Sequence, residues 1–220
     1  MNEYHKIDTV FKRDPETNHK TLLIGDYSQD AFAYLAGNEW VFTEKVDGTN
    51  VRVMIGQGVS GVEFGGKTDN AQMPTFLATE LDNLFYPQRD ALMAAFPDGA
   101  CFYGEGYGPR IQKGGGNYRS EVGFVLFDVR VGEWWLQREA VEGIAAQFGL
   151  DIVPIIGRGT LAEMVRMAEL GITSTWGNFA AEGIVARPAV ELKSRSGHRI
   201  ITKIKSKDFA TVASRKATAV

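Results

Sequence analysis

Apolar and polar positions alternate along much of this chain, and that alternation sets the first expectations. Trp40-Val41-Phe42-Thr43 has the β-branched and aromatic character of a strand. Beyond it, Val51, Val53 and Ile55 fall on one face and Arg52 and Met54 on the other. Between the two lies Glu44-Lys45-Val46-Asp47-Gly48-Thr49-Asn50. Residues 38–56 therefore read as a β-hairpin closed by an Asp-Gly turn. Lys45 then stands at a strand end, either as an ordinary exposed lysine or as a nucleophile held on a rigid sheet edge.

Glycines from Gly56 to Gly66 punctuate a second pair of short strands. Phe76, Leu77, Leu81, Leu84 and Phe85, then Leu92, Met93 and Phe96, have helical spacing, interrupted at Pro87. Residues 100–108 and 122–130 read as strands, and Trp134-Trp135 as a further strand or a hairpin return. Residues 137–149 suit an amphipathic helix, Ile152 to Ile156 a buried strand, and Thr160 with Glu163 a capping box for a helix through Leu170. Strands follow at 182–188 and 199–207. In the last, Lys203 and Lys205 share one face while Ile200, Thr202 and Ile204 share the other. The expected architecture is an α+β domain of antiparallel sheets with a few helices. Residues 1–37 read as a polar, loop-like segment packed on the core, residues 38–209 as the main domain, and residues 210–220 as a basic tail.

Composition narrows the classes. An apolar fraction of 44% suits a globular chain of 220 residues with a sizeable core. No apolar run reaches the length of a membrane span and the polar N-terminus is no signal peptide, so a cytoplasmic protein with no membrane partner is expected. The single cysteine, Cys101, excludes a disulfide framework, and the three histidines lie far apart. The net charge of −3 does not suggest a nucleic-acid binder. Its distribution is uneven: from Glu191 onward eight Lys/Arg face two Asp/Glu, which reads either as a local phosphate patch or, for the last ten residues, as a solvated basic tail.

The chemistry these residues offer is limited in kind. A lysine becomes a nucleophile when desolvation or nearby cations expose its lone pair. Lys203, Lys205 and Arg52 could supply those cations or hold phosphates. Glu105 and Glu182 end apolar strands and could hold Mg²⁺ or a ribose hydroxyl. Phe127 could stack a base. Each has a plainer reading: ion-paired carboxylates, a core phenylalanine, the wet face of an edge strand. Gly65-Gly66-Lys67-Thr68 lacks the spacing of a P-loop. The glycine-rich loop from Gly108 to Gly116, with Arg110, Lys113 and Arg119 in and beside it, reads either as a mobile phosphate contact or as a disordered surface loop.

Taken in order, Lys45-Val46-Asp47-Gly48-Thr49-Asn50, Phe102-Tyr103-Gly104-Glu105, Phe124 to Val129, Ala181-Glu182-Gly183-Ile184-Val185 and Lys203-Ile204-Lys205 form a set. With it the chain resembles the covalent nucleotidyltransferase superfamily of polynucleotide ligases and mRNA capping enzymes, most closely the RNA ligase 2 family of bacteriophage T4. The resemblance implies an ATP-grasp-like nucleotidyltransferase (adenylation) domain and an ATP-dependent RNA ligase using Mg²⁺ or Mn²⁺. It implies that Lys45 forms a lysyl-AMP bond, with Glu44 at the adenine end and Asn50 and Arg52 near phosphates or the nucleic-acid end. Glu105 would hold the ribose, Phe127 would stack on adenine with Asp128 in support, and Glu182 would work with the metal. Lys203 and Lys205 would bind the α-phosphate and stabilise pyrophosphate, and Arg187 would contact phosphate. The AMP would pass to a 5′-phosphate, and a 3′-hydroxyl would displace it, nicked duplex RNA being the expected partner and a monomer the expected state.

The sequence departs from the family pattern in places. Asp47 replaces the histidine of the phage enzyme, and Lys67-Thr68 stands where an Arg-Thr pair is usual, which bears on any contact made by Lys67. Fifteen residues follow Lys205, so a catalytic core without the relatives' C-terminal domain is expected, better at self-adenylylation than at end joining. A DNA ligase core, an mRNA guanylyltransferase and a non-catalytic binder of nucleic-acid ends are the alternatives.

Overall fold

Short strands occupy the N-terminal stretch that reads as loop. In the computed structural model, which describes residues 3–56 and 61–209, this stretch holds β1 (Asp8–Thr9), β2 (Phe11–Arg13), β3 (Leu22–Tyr27) and helix α1 (Asp30–Tyr34). Two- and three-residue strands are too short to show a period. Their register comes from their partners: β1 pairs in parallel with the last strand, far along the chain, and β2 pairs with the nearby β3. The proposed tail at 210–220 lies outside the described residues.

Next come β4 (Trp40–Lys45) and β5 (Thr49–Ile55). They do not form the expected hairpin. Contacts divide the chain into two units, one running from Lys6 to Val46 and resuming at Pro154, the other holding the start through His5 and Asp47–Val153. β4 belongs to the first and β5 to the second. The turn itself gives the reason. A two-residue Asp-Gly hairpin of type I′ needs positive φ at both residues, and neither Asp47 nor Gly48 has it. Gly48 instead lies so close to the Gly106 carbonyl that a Cβ would stand 2.6 Å from that oxygen. The hairpin lies one strand later, where β5 pairs antiparallel with β6 (Val62–Gly65), one strand in place of the expected pair.

The Asp47–Val153 unit continues with helices α2 (Thr75–Phe85) and α3 (Arg89–Ala95), split by a 3₁₀ turn at Tyr86–Gln88 that contains Pro87. Strands β7 (Ala100–Tyr107), β8 (Gly123–Val131) and β9 (Trp134–Trp135), helix α4 (Arg138–Gln147) and β10 (Asp151–Ile152) complete it. Its sheet has the order β10-β8-β7-β5-β6, with β9 returning along β8. Val51, Val53, Ile55, Phe102, Phe124 and Leu126 form one face of that sheet. They pack against Leu77, Leu81 and Phe85 of α2 and Val141 and Ala145 of α4.

The expected strand from Ile152 to Ile156 is divided as well. β10 pairs with β8, whereas β11 (Ile155–Gly159) pairs with β4. Proline has no N–H for a ladder, and Pro154 marks the boundary. Helix α5 (Leu161–Leu170) opens with the expected box: Glu163 N–H donates to Thr160 Oγ1 at 3.3 Å and Thr160 N–H to Glu163 Oε2 at 2.7 Å. β12 (Gly183–Pro188) and β13 (Thr202–Lys205) finish a sheet ordered β1-β13-β12-β4-β11. Trp40, Phe42, Ile184, Ala186 and Ile204 line its inner face, against Leu161, Met164 and Ala168 of α5.

Candidate active site

The strand parity that buries Phe42, Ile184 and Ile204 puts Lys45, Arg187, Lys203 and Lys205 on the opposite face. Register then sets their spacing. Gly183 pairs with Lys45 on one side and with Lys205 on the other, so the two lysines flank a glycine in one row across three strands. A Cβ at Gly183 would stand 2.1 Å from the Ile204 carbonyl oxygen, so no side chain fits in the row. The carboxylate of Glu182, one residue earlier, fills the gap. Its Oε2 accepts from Lys45 Nζ at 2.5 Å and its Oε1 lies 2.6 Å from Lys205 Nζ. Two ammonium groups held in one row repel each other. The shared carboxylate is what keeps both lysines there.

Glu44, inward of the lysine, is 1% exposed. Its Oε2 accepts the Thr175 N–H and the Thr175 hydroxyl, both at 2.8 Å, while Oε1 is buried with no hydrogen-bond partner among the described residues. Sequence reading found Glu44 but not Thr175, which sits in a loop 131 residues away.

The other unit carries the remaining expected residues. Asn50 and Glu105 are directly opposite on β5 and β7, and Asn50 Nδ2 donates to Glu105 Oε1 at 2.6 Å. Arg52, on the same strand face as Asn50, is only 2% exposed. It holds the turn after β6, through Nε to the Gly66 carbonyl and Nη2 to Asp69, both at 2.8 Å. That ion pair keeps the Asp69 carboxyl below the usual carboxylate range. Lys67 is exposed on this turn. The guanidinium therefore builds the turn that presents Lys67.

Phe127 sits at an irregularity. Tyr103 of β7 pairs with Asp128 and the next residue, Gly104, with Leu126, so Phe127 is the extra residue of a β-bulge. The bulge lets Phe124, Leu126 and Val129 all face the core, while Phe127 and Asp128 both leave it. Asp128 is fully buried and accepts the Tyr4 hydroxyl at 2.8 Å. The Tyr4 ring meets Phe127 edge-on, centroids 5.1 Å apart. Sequence reading missed Tyr4, since one tyrosine in a polar N-terminus carries no signal.

The loop after β7 is pinned rather than loose. Arg110 lies over the Phe76 ring at 4.2 Å, and Arg119 reaches Asp151 at 3.2 Å. Asp47 N–H donates to the Tyr118 hydroxyl at 3.1 Å, and Gln112 Nε2 to the Gly48 carbonyl at 3.3 Å. The Tyr107 hydroxyl, bonded to Asp151 at 2.8 Å, is pushed up to about 12, by burial first and then by that carboxylate. The loop thus braces the Asp47-Gly48 turn, and Lys113 is the exposed cation left on it.

Among the described residues no three His, Cys, Asp or Glu side chains cluster as a metal cage. That donor set still fits Mg²⁺ or Mn²⁺, since a hard ion in a nucleotide site commonly takes one or two carboxylates with substrate phosphates and water. Glu182, in contact with Lys45 and Lys205, would be the carboxylate to hold it. No helix among them is long and apolar enough to cross a membrane.

Comparison with known proteins places this geometry. Solved structures of the Naegleria gruberi RNA ligase are similar in fold. An apo mutant matches at TM-score 0.65 and 17% identity, covering 99% of this chain and 60% of that one. Two mutants with ATP and Mn match at TM-scores 0.66 and 0.64, each at 18% identity and over 98% of this chain, and 58% and 60% of theirs. The chain thus spans about 60% of the length of those proteins. A comparison with curated proteins returns no match. The RNA ligase family model matches residues 38–205, a stretch that begins just before β4 and ends on Lys205. With the α+β nucleotidyltransferase architecture and that match over three quarters of its length, the chain belongs to the RNA ligase family.

Proposed function

We propose that this protein is an ATP-dependent RNA ligase that carries AMP on Lys45. The observation that carries the reading is the Glu182 carboxylate, which holds Lys45 and Lys205 in one row on a rigid sheet. The ATP and Mn in the similar Naegleria structures support the nucleotide and a divalent ion. The order of the motifs favours kinship with the RNA ligase 2 group of phage T4.

Lys45 Nζ attacks the α-phosphorus of ATP, the N–P bond forms, and the bond to pyrophosphate breaks. The amine must shed a proton first, and Glu182 Oε2 is the acceptor already in contact with it. Lys205 and Lys203, on the same strand face, neutralise the α-phosphate and the departing pyrophosphate. Glu182 would hold a Mg²⁺ or Mn²⁺ with phosphate oxygens and water, and the ion would supply charge neutralisation on the triphosphate. Glu44 faces the base, Glu105 and Asn50 the ribose, and Phe127 stacks on adenine. Arg187 and Lys67 contact phosphate. The adenylate then passes to a 5′-phosphate of nicked RNA, and the adjoining 3′-hydroxyl displaces AMP.

A pulse-chase tests this. Protein is charged with α-labelled ATP and a divalent ion, freed of nucleotide, and chased with 5′-phosphorylated nicked RNA, DNA or hybrid duplex. Label should move from protein to RNA ends, followed by a joined strand. Charging from GTP alone would favour capping, faster chase onto DNA a DNA ligase, and no charging a non-catalytic binder.

A further inference from the structure

We propose that Arg13 and Asp208 are a positioning pair that fixes where the Lys205 amine stands, making the N-terminal ribbon a working part of adenylate transfer. The proposal rests on the role given to Lys205 above. Both residues lie outside the 38–205 stretch that matches the family.

The Asp208 carboxylate is almost wholly buried, its side chain 3% exposed. Arg13 Nη2 donates to both of its oxygens, at 3.0 and 3.1 Å. Asp208 Oδ2 also accepts the backbone N–H of Lys205 at 3.2 Å. Arg13 is fixed in turn, because its Nη1 donates to the His19 carbonyl at 3.3 Å. Ser206 ties the other side of the same turn: its N–H reaches the Glu182 carbonyl and its hydroxyl the Ala181 carbonyl, both at 2.9 Å. The backbone just after Lys205 is thereby stapled to the strand carrying Glu182 and, through Asp208, to the ribbon carrying Arg13. The strand entering that turn is held too, since β1 pairs with β13 and Val10 N–H donates to the Lys203 carbonyl at 3.0 Å.

A lysine has four rotatable carbons, and its ammonium is located only as well as its Cα. The Oε1 of Glu182 takes Lys205 Nζ at 2.6 Å only if the two backbones keep their offset. Arg13 and Asp208 hold one of them. A buried carboxylate with a charged partner also stabilises the fold, so the test must read transfer in molecules that remain folded.

The measurement is the single-turnover rate of AMP transfer from ATP to the protein at saturating ATP, well below each variant's thermal midpoint. Arg13→Ala should slow transfer about tenfold, with the KM for ATP changed less than about twofold. Arg13→Lys should recover most of the rate. Asp208→Asn keeps the side-chain shape and an acceptor for the Lys205 N–H, so the fold is retained, and transfer should be slowed several-fold. In a Lys205→Ala background, Arg13→Ala should add less than about a twofold loss, because its effect runs through that lysine. Losses that multiply, or Arg13→Ala transferring at the wild-type rate, would overturn the proposal. Labelling that survives Lys45→Ala, or a wild-type rate in Lys205→Ala, would instead bring down the ligase reading and this proposal with it.

Discussion

Particular carboxylates in the two units are held by different partners. In the sheet of β4, β12 and β13, charge is held by charge: Glu182 bridges Lys45 and Lys205, and Arg13 neutralises Asp208. In the unit of β5, β7 and β8, Glu105 accepts from the Asn50 amide and Asp128 from the Tyr4 hydroxyl, beside the Arg52–Asp69 and Arg119–Asp151 ion pairs. In the proposed function an arriving triphosphate would rearrange the first arrangement, one set of ions exchanging for another. The second places neutral hydrogen-bond donors on Glu105 and Asp128, which in the proposed function would serve the uncharged parts of a nucleotide. Under the proposed function, chemistry would fall to the ion-bridged row and nucleotide recognition to the Asn50–Glu105 and Tyr4–Asp128 pairs.

Matched substitutions break that comparison most sharply at the carboxylates. Glu182→Gln should slow AMP transfer by about a hundredfold or more at saturating ATP, since it removes both the bridge and the proton acceptor. Glu105→Gln should act mainly on the KM for ATP, with a smaller loss at saturation. Equal losses in both would mean that the two sheets do not divide the work.

Next in size is Gly183→Ala. Its methyl would be driven against the Ile204 carbonyl between the two lysines, at a cost of about 2–3 kcal/mol in urea unfolding with transfer impaired as well. Tyr4→Phe should cost about 1–2 kcal/mol, because buried Asp128 loses a donor, and should weaken ATP binding through Phe127 while leaving the rate at saturation nearly intact.

The smallest effect belongs to Asp69→Asn. Arg52 lowers the folded-state pKa of Asp69 below the ordinary value, so its contribution is present above the usual carboxylate range and is lost as pH falls through the lowered value. The variant should be slightly less stable than wild type near neutrality and indistinguishable from it in acid, as read by paired pH-dependent melts.

Elements with a long period were legible. The helix broken at Pro87, the Thr160–Glu163 box and the lysine face of β13 all follow from spacing within a few residues. Pairing was not. The strands flanking Asp47-Gly48, and those flanking Pro154, look continuous locally because alternation does not record which sheet a strand will join. The bulge at Phe127 has no mark in composition, and Tyr4, Thr175, Arg13 and Asp208 act on partners more than a hundred residues away. The motif residues themselves were found through their resemblance to a family. Their supports, scattered over loops and the N-terminus, had no motif to announce them.

The central claim is that Lys45 is the atom carrier. The most direct test is to incubate the protein with ATP and Mg²⁺ or Mn²⁺, digest it, and locate the adenylate by peptide mass spectrometry. The account predicts one adduct, on Lys45, that is absent from Lys45→Ala. An adduct on any other residue, or none from ATP with either ion, would contradict it.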